Sequence, residues 1–255
     1  MKFSNFQIFK FSNFTRLLFL LLLAGWHVVP CRGQNNPYVD DKLFHMGFQL
    51  GLNFMSYGIT DSNLPIAPLG GEVMYARVSS LLPGFGVAFV MDLRLSRHLN
   101  LRITPGLEFA QRTLSYATKD GPYEGWVMGT DKIRTQNLLH IPISIPVYLK
   151  WSANRERNYR PYLLAGGGVS FNVNPSKGDD YVQTKVFDGF VEGGFCCGFY
   201  FPWFKFCPQL TYRVGFANQL KTIDTYTNPL PEQQVFTTPI SKMLNRALVL
   251  TFNFE

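Results

Sequence analysis

The sequence is short of charge. Asp, Glu, Lys and Arg make up 16% of 255 residues, matched by another 16% of Phe, Trp and Tyr, whereas a soluble exported domain covers itself with roughly a quarter charged residues. Long apolar runs are missing too. Beyond residue 33 nothing approaches the roughly 18 consecutive apolar residues of a membrane-crossing helix, so a helical membrane protein is excluded. Cysteine is scarce: only Cys196, Cys197 and Cys207 follow residue 33, and an odd number makes no disulfide framework. No convincing helical pattern occurs.

What the chain does have begins with a leader. Lys2, Lys10 and Arg16 precede the apolar run LLFLLLLAGWHVV, and Cys31 and Gly33 follow it. This is the layout of a secretory signal peptide, 1–33, cleaved before Gln34. The run 17–29 has 13 residues, short of the roughly 20 that span a bilayer. Lipidation at Cys31 is disfavoured by Pro30. The leader also holds Lys2, Lys10, Arg16 and Arg32, so taking these four from 24 basic residues leaves 20 against 17 acidic, a net of +3 instead of +7. The remaining Lys and Arg are scattered, which argues against nucleic acid as a partner.

The mature chain alternates with period two. LFHMGFQLGLNFM puts Phe44, Met46, Phe48, Leu50, Leu52 and Phe54 on one face and His45, Gly47, Gln49, Gly51 and Asn53 on the other. The same two-faced pattern recurs near 84–95, 99–109, 137–151, 159–172, 186–200, 204–216 and 244–254, giving eight strands. The gaps between them run about 28, 3, 28, 8, 14, 3 and 27 residues, long and short in turn. Sandwich loops have no reason to alternate in length, whereas outer-membrane barrels have short periplasmic turns and long external loops. One face of nearly every strand is wholly apolar, which suits lipid, and the other carries isolated charges, amides and small residues, which suits a lumen. Trp151, Phe201 and Trp203 sit at short turns, where an aromatic girdle belongs. The expected fold is therefore all-β: an eight-stranded antiparallel up-and-down transmembrane β-barrel of the outer membrane over 43–255. A short periplasmic segment, 34–42, precedes it, and both termini are periplasmic. A soluble sandwich is the lesser alternative.

NLLHIPISIPVYLKW, 137–151, conflicts with this locally. Its apolar set alternates, but Pro142 and Pro146 have no N–H for a ladder. A bulge or loosened pairing is expected near one of them.

Candidate chemistry sits in the lumen. Asp92 and Arg94 on strand two, Arg102 and Glu108 on strand three, and Glu192, Lys205 and Arg213 on strands six and seven all fall on the polar face. Isolated charges in a narrow barrel need partners, so a space-filling network is expected. The sharper reading is a polar path or ligand site, in an interior just wide enough for side chains or one small ligand. No cofactor or metal set emerges, because adjacent Cys196 and Cys197 point to opposite faces. A disulfide from Cys207 to either is permitted, and free thiols are favoured. His140 and Ser144 share a face, but four strand residues span about 13 Å, too far for a base and its nucleophile. No catalytic residues are assigned. The Gly166–Gly168 run and Gly193, Gly194 and Gly198 read as close packing or bends.

Two stretches carry a resemblance. NLLHIPISIPVYLKW resembles the motif of Bacteroidetes outer-membrane barrels. LLPGFGVAFVMDLRLSRHLNLRITPGLEFAQRTLSY, 81–116, resembles the PorT family of the type IX secretion system, which exports cargo carrying a C-terminal sorting domain. The likeness covers most of the mature chain and is most specific in strands two to four. It implies a non-enzymatic accessory or assembly component, with outer-membrane lipid and other type IX components as partners. A folded cargo cannot pass an eight-stranded barrel, so contacts would lie in loops 57–82, 115–138 and 218–243 and in the turn SANRERNYR with Arg155, Glu156, Arg157 and Arg160. The alternative is a barrel of structural, adhesin or small-ligand-binding role unrelated to secretion.

Overall fold

The structure is a computed structural model that describes residues 35, 39–66, 73–118, 121–122, 135–174, 176, 180–226 and 230–255. The expected signal peptide lies outside these residues. Among the described residues twelve strands form one sheet: β1 (Phe44–Asp61), β2 (Met74–Leu81), β3 (Pro83–Arg94), β4 (Leu99–Ile103), β5 (Gly106–Thr118), β6 (Gly121–Pro122), β7 (Thr135–His140), β8 (Pro142–Ser152), β9 (Tyr159–Asn172), β10 (Phe187–Tyr200), β11 (Lys205–Gly215) and β12 (Ile240–Phe254). β2 with β3, β4 with β5, and β7 with β8 are each one run broken by one or two residues. Neighbouring runs pair antiparallel all the way round, and β1 closes the ring by pairing with both β12 and β3.

The prolines loosen the ladder without shifting it. Ile103 faces Val147 and Gly106 faces Ser144 in one register, so Thr104 and Pro105 interrupt the pairing opposite Pro146 and no residue is bulged. A second break falls at Ile141, just before Pro142, again with register kept between Leu107 facing Ile143 and Ala110 facing His140. On the other side β8 pairs with β9 without interruption from Pro142 to Ser152. Loosened pairing was expected here, and this is its form: each proline turns its missing donor toward the β4–β5 run.

Burial along β8 alternates strictly. Pro142, Ser144, Pro146, Tyr148, Lys150 and Ser152 are buried, and Ile143, Ile145, Val147, Leu149 and Trp151 are exposed. Exposed apolar side chains encircle the barrel, with Trp151, Phe201 and the 93% exposed Trp203 at the short-turn edge. β9 approaches β8 so closely that a Cβ on Gly166 would lie 2.1 Å from the Val147 carbonyl oxygen, which explains glycine there.

Toward the long loops the strands run further than expected, and the apolar parity inverts. In β1 the even positions through Phe54 are apolar and point out, whereas beyond it Met55 and Tyr57 are buried inside and Ser56, Gly58 and Thr60 face out. β5 changes from outward Leu107 and Phe109 to outward Gln111 and Thr113 over inward Leu114 and Tyr116. β12 changes from outward Leu248 to outward Arg246 over inward Met243. The backbone is continuous, so the change is one of surroundings: water has replaced lipid outside, and an apolar cluster has replaced polar groups inside. Half of the expected loop 57–82 is therefore strand, and the connection after β1 shrinks to 62–73. Strand also takes 115–118, 121–122 and 135–138 of the loop 115–138, whose other residues lie outside the described ones, but only 240–243 of the loop 218–243.

That cluster caps the barrel. Tyr57, Met74, Leu114, Tyr116, Phe236 and Met243 are among its fully or nearly buried members. Phe236 comes from α1 (Pro231–Thr237), a helix the sequence reading did not anticipate because seven residues show too little periodicity. Pro231 at its first turn and the Gln233 side chain, which accepts the Leu230 N–H at 3.0 Å, start it.

These faces set a test. Ile145→Arg, in the middle of the lipid-facing column of β8, is expected to cost about 2–4 kcal/mol, and Gln111→Arg, beyond the apolar band, less than about 1 kcal/mol. Urea titration in lipid vesicles measures both, and equal costs would place the band elsewhere.

Candidate functional site

Five charged side chains meet in the lumen near the short-turn end. Asp92 accepts from Arg102 Nε at 3.0 Å and Nη2 at 2.7 Å, from Lys150 Nζ at 2.6 Å and from Asn100 Nδ2 at 2.5 Å. Arg102 Nη2 also donates to Glu255, whose other carboxylate oxygen accepts from Lys205 Nζ at 2.9 Å. The signs alternate from Lys150 through Asp92, Arg102 and Glu255 to Lys205, so each ion has an opposite neighbour on every side it offers. Arg102 is 0% exposed and also donates to Tyr162 Oη at 3.2 Å. Five separate runs contribute, because inward positions at one height of a ring converge on its axis. Desolvation of so many charges is offset only by such complete pairing.

Higher in the lumen a second clamp forms. Arg213 binds Glu108 with both terminal nitrogens, at 2.9 and 3.0 Å, and Glu192 through Nε at 2.8 Å, while its guanidinium lies 4.2 Å from the Phe190 ring centre. Beside it a cavity of about 30 Å³, lined by Gln49, Asn53, Thr251 and glycines 51, 86 and 106, has room for about two waters. Gln49 Oε1, Asn53 Oδ1 and Thr251 Oγ1 find no protein partner, so water suits it and a larger solute does not. Above, Arg112 donates to Asn245 at 2.7 Å, Asn245 donates to Asp188 at 2.5 Å, and Arg112 stacks 4.0 Å from the Tyr57 ring beneath the apolar cap. Among the described residues, side chains fill the lumen around this small cavity from the ion chain to the cap.

Of the seven residues expected from sequence, Asp92, Arg102 and Lys205 join the five-ion chain, and Glu108, Glu192 and Arg213 form the clamp. Arg94 joins neither. It lies at the mouth and pairs with Asp41 at 3.2 Å, because the N-terminal segment crosses that end. There Asp40 accepts from Tyr200 Oη at 2.7 and 2.9 Å and stands 3.5 Å from Arg160 and 3.8 Å from Arg155. Asn35 ties the same segment to Asn158 and Tyr200. Lys150 and Glu255 were missed as members of the network, although parity places both inward: Lys150 with Tyr148 on β8, and Glu255 with Asn253 after β12.

His140 and Ser144 are both buried on the lumen face, and no hydrogen bond joins them among the described residues. Cys196 and Cys207 are buried, Cys197 is half-buried, and all three are free thiols. No group of three or more His, Cys, Asp or Glu that could hold a metal occurs among the described residues.

The five-ion chain makes a sharp contrast with the rim. Asp92→Leu leaves the buried Lys150 without its carboxylate while Arg102 keeps only Glu255, and is expected to cost about 3–5 kcal/mol. Arg94→Met, losing a partly exposed pair, is expected to cost less than about 1 kcal/mol. Unfolding titrations of both variants check this, and equal costs would sink the bracing role.

Comparison with known proteins adds one firm result. No curated protein sequence matches the chain. Among solved structures it is similar to neisserial surface protein A, at 11% identity and a TM-score of 0.41, over 83% of this chain and 98% of that one. It is also similar to the outer membrane protease OmpT of Escherichia coli, at 10% identity and a TM-score of 0.35, over 82% and 95%. Both likenesses are loose. Residues 33–221, most of the chain, match the outer membrane protein beta-barrel domain family, and the chain belongs to that family of outer-membrane barrels.

Proposed function

We propose that this outer-membrane barrel is a non-enzymatic accessory or assembly component of the type IX secretion system, akin to the PorT family, and not itself the conduit. The observation that carries the exclusion of transport is the lumen. Five alternating ions, an arginine clamp and an apolar cap occupy it in sequence, so a polypeptide has no path through. The resemblance of residues 81–116 supports the link to secretion, and it covers β3 to β5, which supply Asp92, Arg102 and Glu108. In this reading both termini and the short turns lie in the periplasm. The basic turn of Arg155, Arg157 and Arg160, to which Asp40 is clamped, is the face offered to other components.

Deletion of the gene is expected to leave cargo with C-terminal sorting domains in the periplasm, seen by fractionation and immunoblot. Normal export in the deletion strain would reject the secretion role. It would leave a structural, adhesin or small-ligand-binding barrel as the reading.

A further inference from the structure

The lipid-facing column of β12 runs Phe254, Phe252, Leu250 and Leu248, and the next outward residue is Arg246. Two residues along a strand is about 7 Å, so the guanidinium stands at the edge of the apolar band, where headgroups lie. Its seat is built. Arg246 faces Ser56 on β1 and leans over Gly58, where an added Cβ would fall 2.7 Å from Nε and 2.9 Å from Cζ. Any side chain at residue 58 would push the guanidinium off the wall. No carboxylate or other acceptor pairs with Arg246 among the described residues.

Other unpaired cations lie at or above this level. Lys242, four residues further along the same outward column and opposite Thr60, is exposed. Lys185 is exposed next to Val186 and Phe187, both also exposed and apolar. Neither has an ion partner among the described residues. Arg77 gives the contrast: Asp61 takes both its terminal nitrogens, at 2.7 and 2.9 Å, so it is already satisfied.

We propose that Arg246, seated on Gly58 and supported by Lys242, is a docking site for a phosphate of lipid A in the outer leaflet. A cation on a lipid-facing wall, level with the end of the hydrocarbon, is met by the headgroups of the surrounding lipid. Guanidinium binds phosphate through two parallel N–H donors, and the unpaired charge has no competing partner in the protein. The assignment rests on the long loops facing outward, as in the proposed function. That orientation is measured separately: Ser241→Cys on intact cells is labelled by a membrane-impermeant maleimide if the loops face outward, and unlabelled cells would reject the orientation itself.

The test of the site is equilibrium binding of three probes to the full chain in detergent: diphosphoryl lipid A, its dephosphorylated form, and phosphatidylglycerol. Diphosphoryl lipid A is expected to bind tightest, with R246Q weakening it about fivefold and R246Q/K242Q more. Gly58→Leu, which keeps the charge but removes the seat, should weaken it similarly, and Arg77→Gln should not. Heat-modifiable migration on a gel verifies that each variant is folded. Equal binding of the dephosphorylated form, no effect of R246Q, or equal binding of phosphatidylglycerol would each overturn the assignment.

Discussion

A backbone that crosses hydrocarbon has no water to take up its N–H and C=O groups, so every one of them must find a partner within the chain. The pairing of β1 with both β12 and β3 meets that demand by removing the sheet edges. The places where the ring is weakest show the same demand at work. At the breaks around Pro105, Pro142 and Pro146, the Thr104 N–H donates to the Pro146 carbonyl, the Phe89 N–H to the Pro105 carbonyl, and the Ile141 N–H to the Asn172 side chain. Three prolines are tolerated in a closed barrel because neighbouring groups bend to supply bonds and the register never moves.

Ring closure then divides every strand into an inside and an outside, and the two environments decide which residues each face takes. Within the lipid band the outside is apolar, so the inside carries the polar groups. Those groups, cut off from bulk water, have to satisfy one another, and the alternating ions around Asp92 and Arg102 are the result. Beyond the band the outside is wet and the assignment reverses, with Tyr57, Leu114 and Met243 turned inward. The same closed wall therefore holds a salt-bridged lower section and an apolar upper one. Among the described residues, the two sections together occupy the interior of the ring.

Much of this was legible as period-two alternation. The strand runs, their outward apolar faces and six of the seven inward charges follow from parity, since a strand's side-chain direction is set locally. The extensions beyond the band escaped because alternation continues there in opposite phase, and a reversal such as Phe54 to Met55 looks like the end of a strand. Arg94 escaped for a different reason. Its parity points inward like that of Asp92, but it stands at the mouth, where Asp41 of the N-terminal segment reaches it. Lys150 and Glu255 had the right parity, but each stands near the end of its strand, where only contact across the ring shows that it joins the network.

By itself the sequence determined the strand faces, the outer-membrane setting and the presence of charges in the lumen, because each depends on side-chain period and on transfer from water to lipid. Only the tertiary structure decided which charge meets which, how the N-terminal segment crosses the mouth, where the apolar cap begins and that Arg246 rests on Gly58. Those outcomes depend on distances across a closed ring, set by register and curvature over residues far apart in the chain, and no local pattern encodes them.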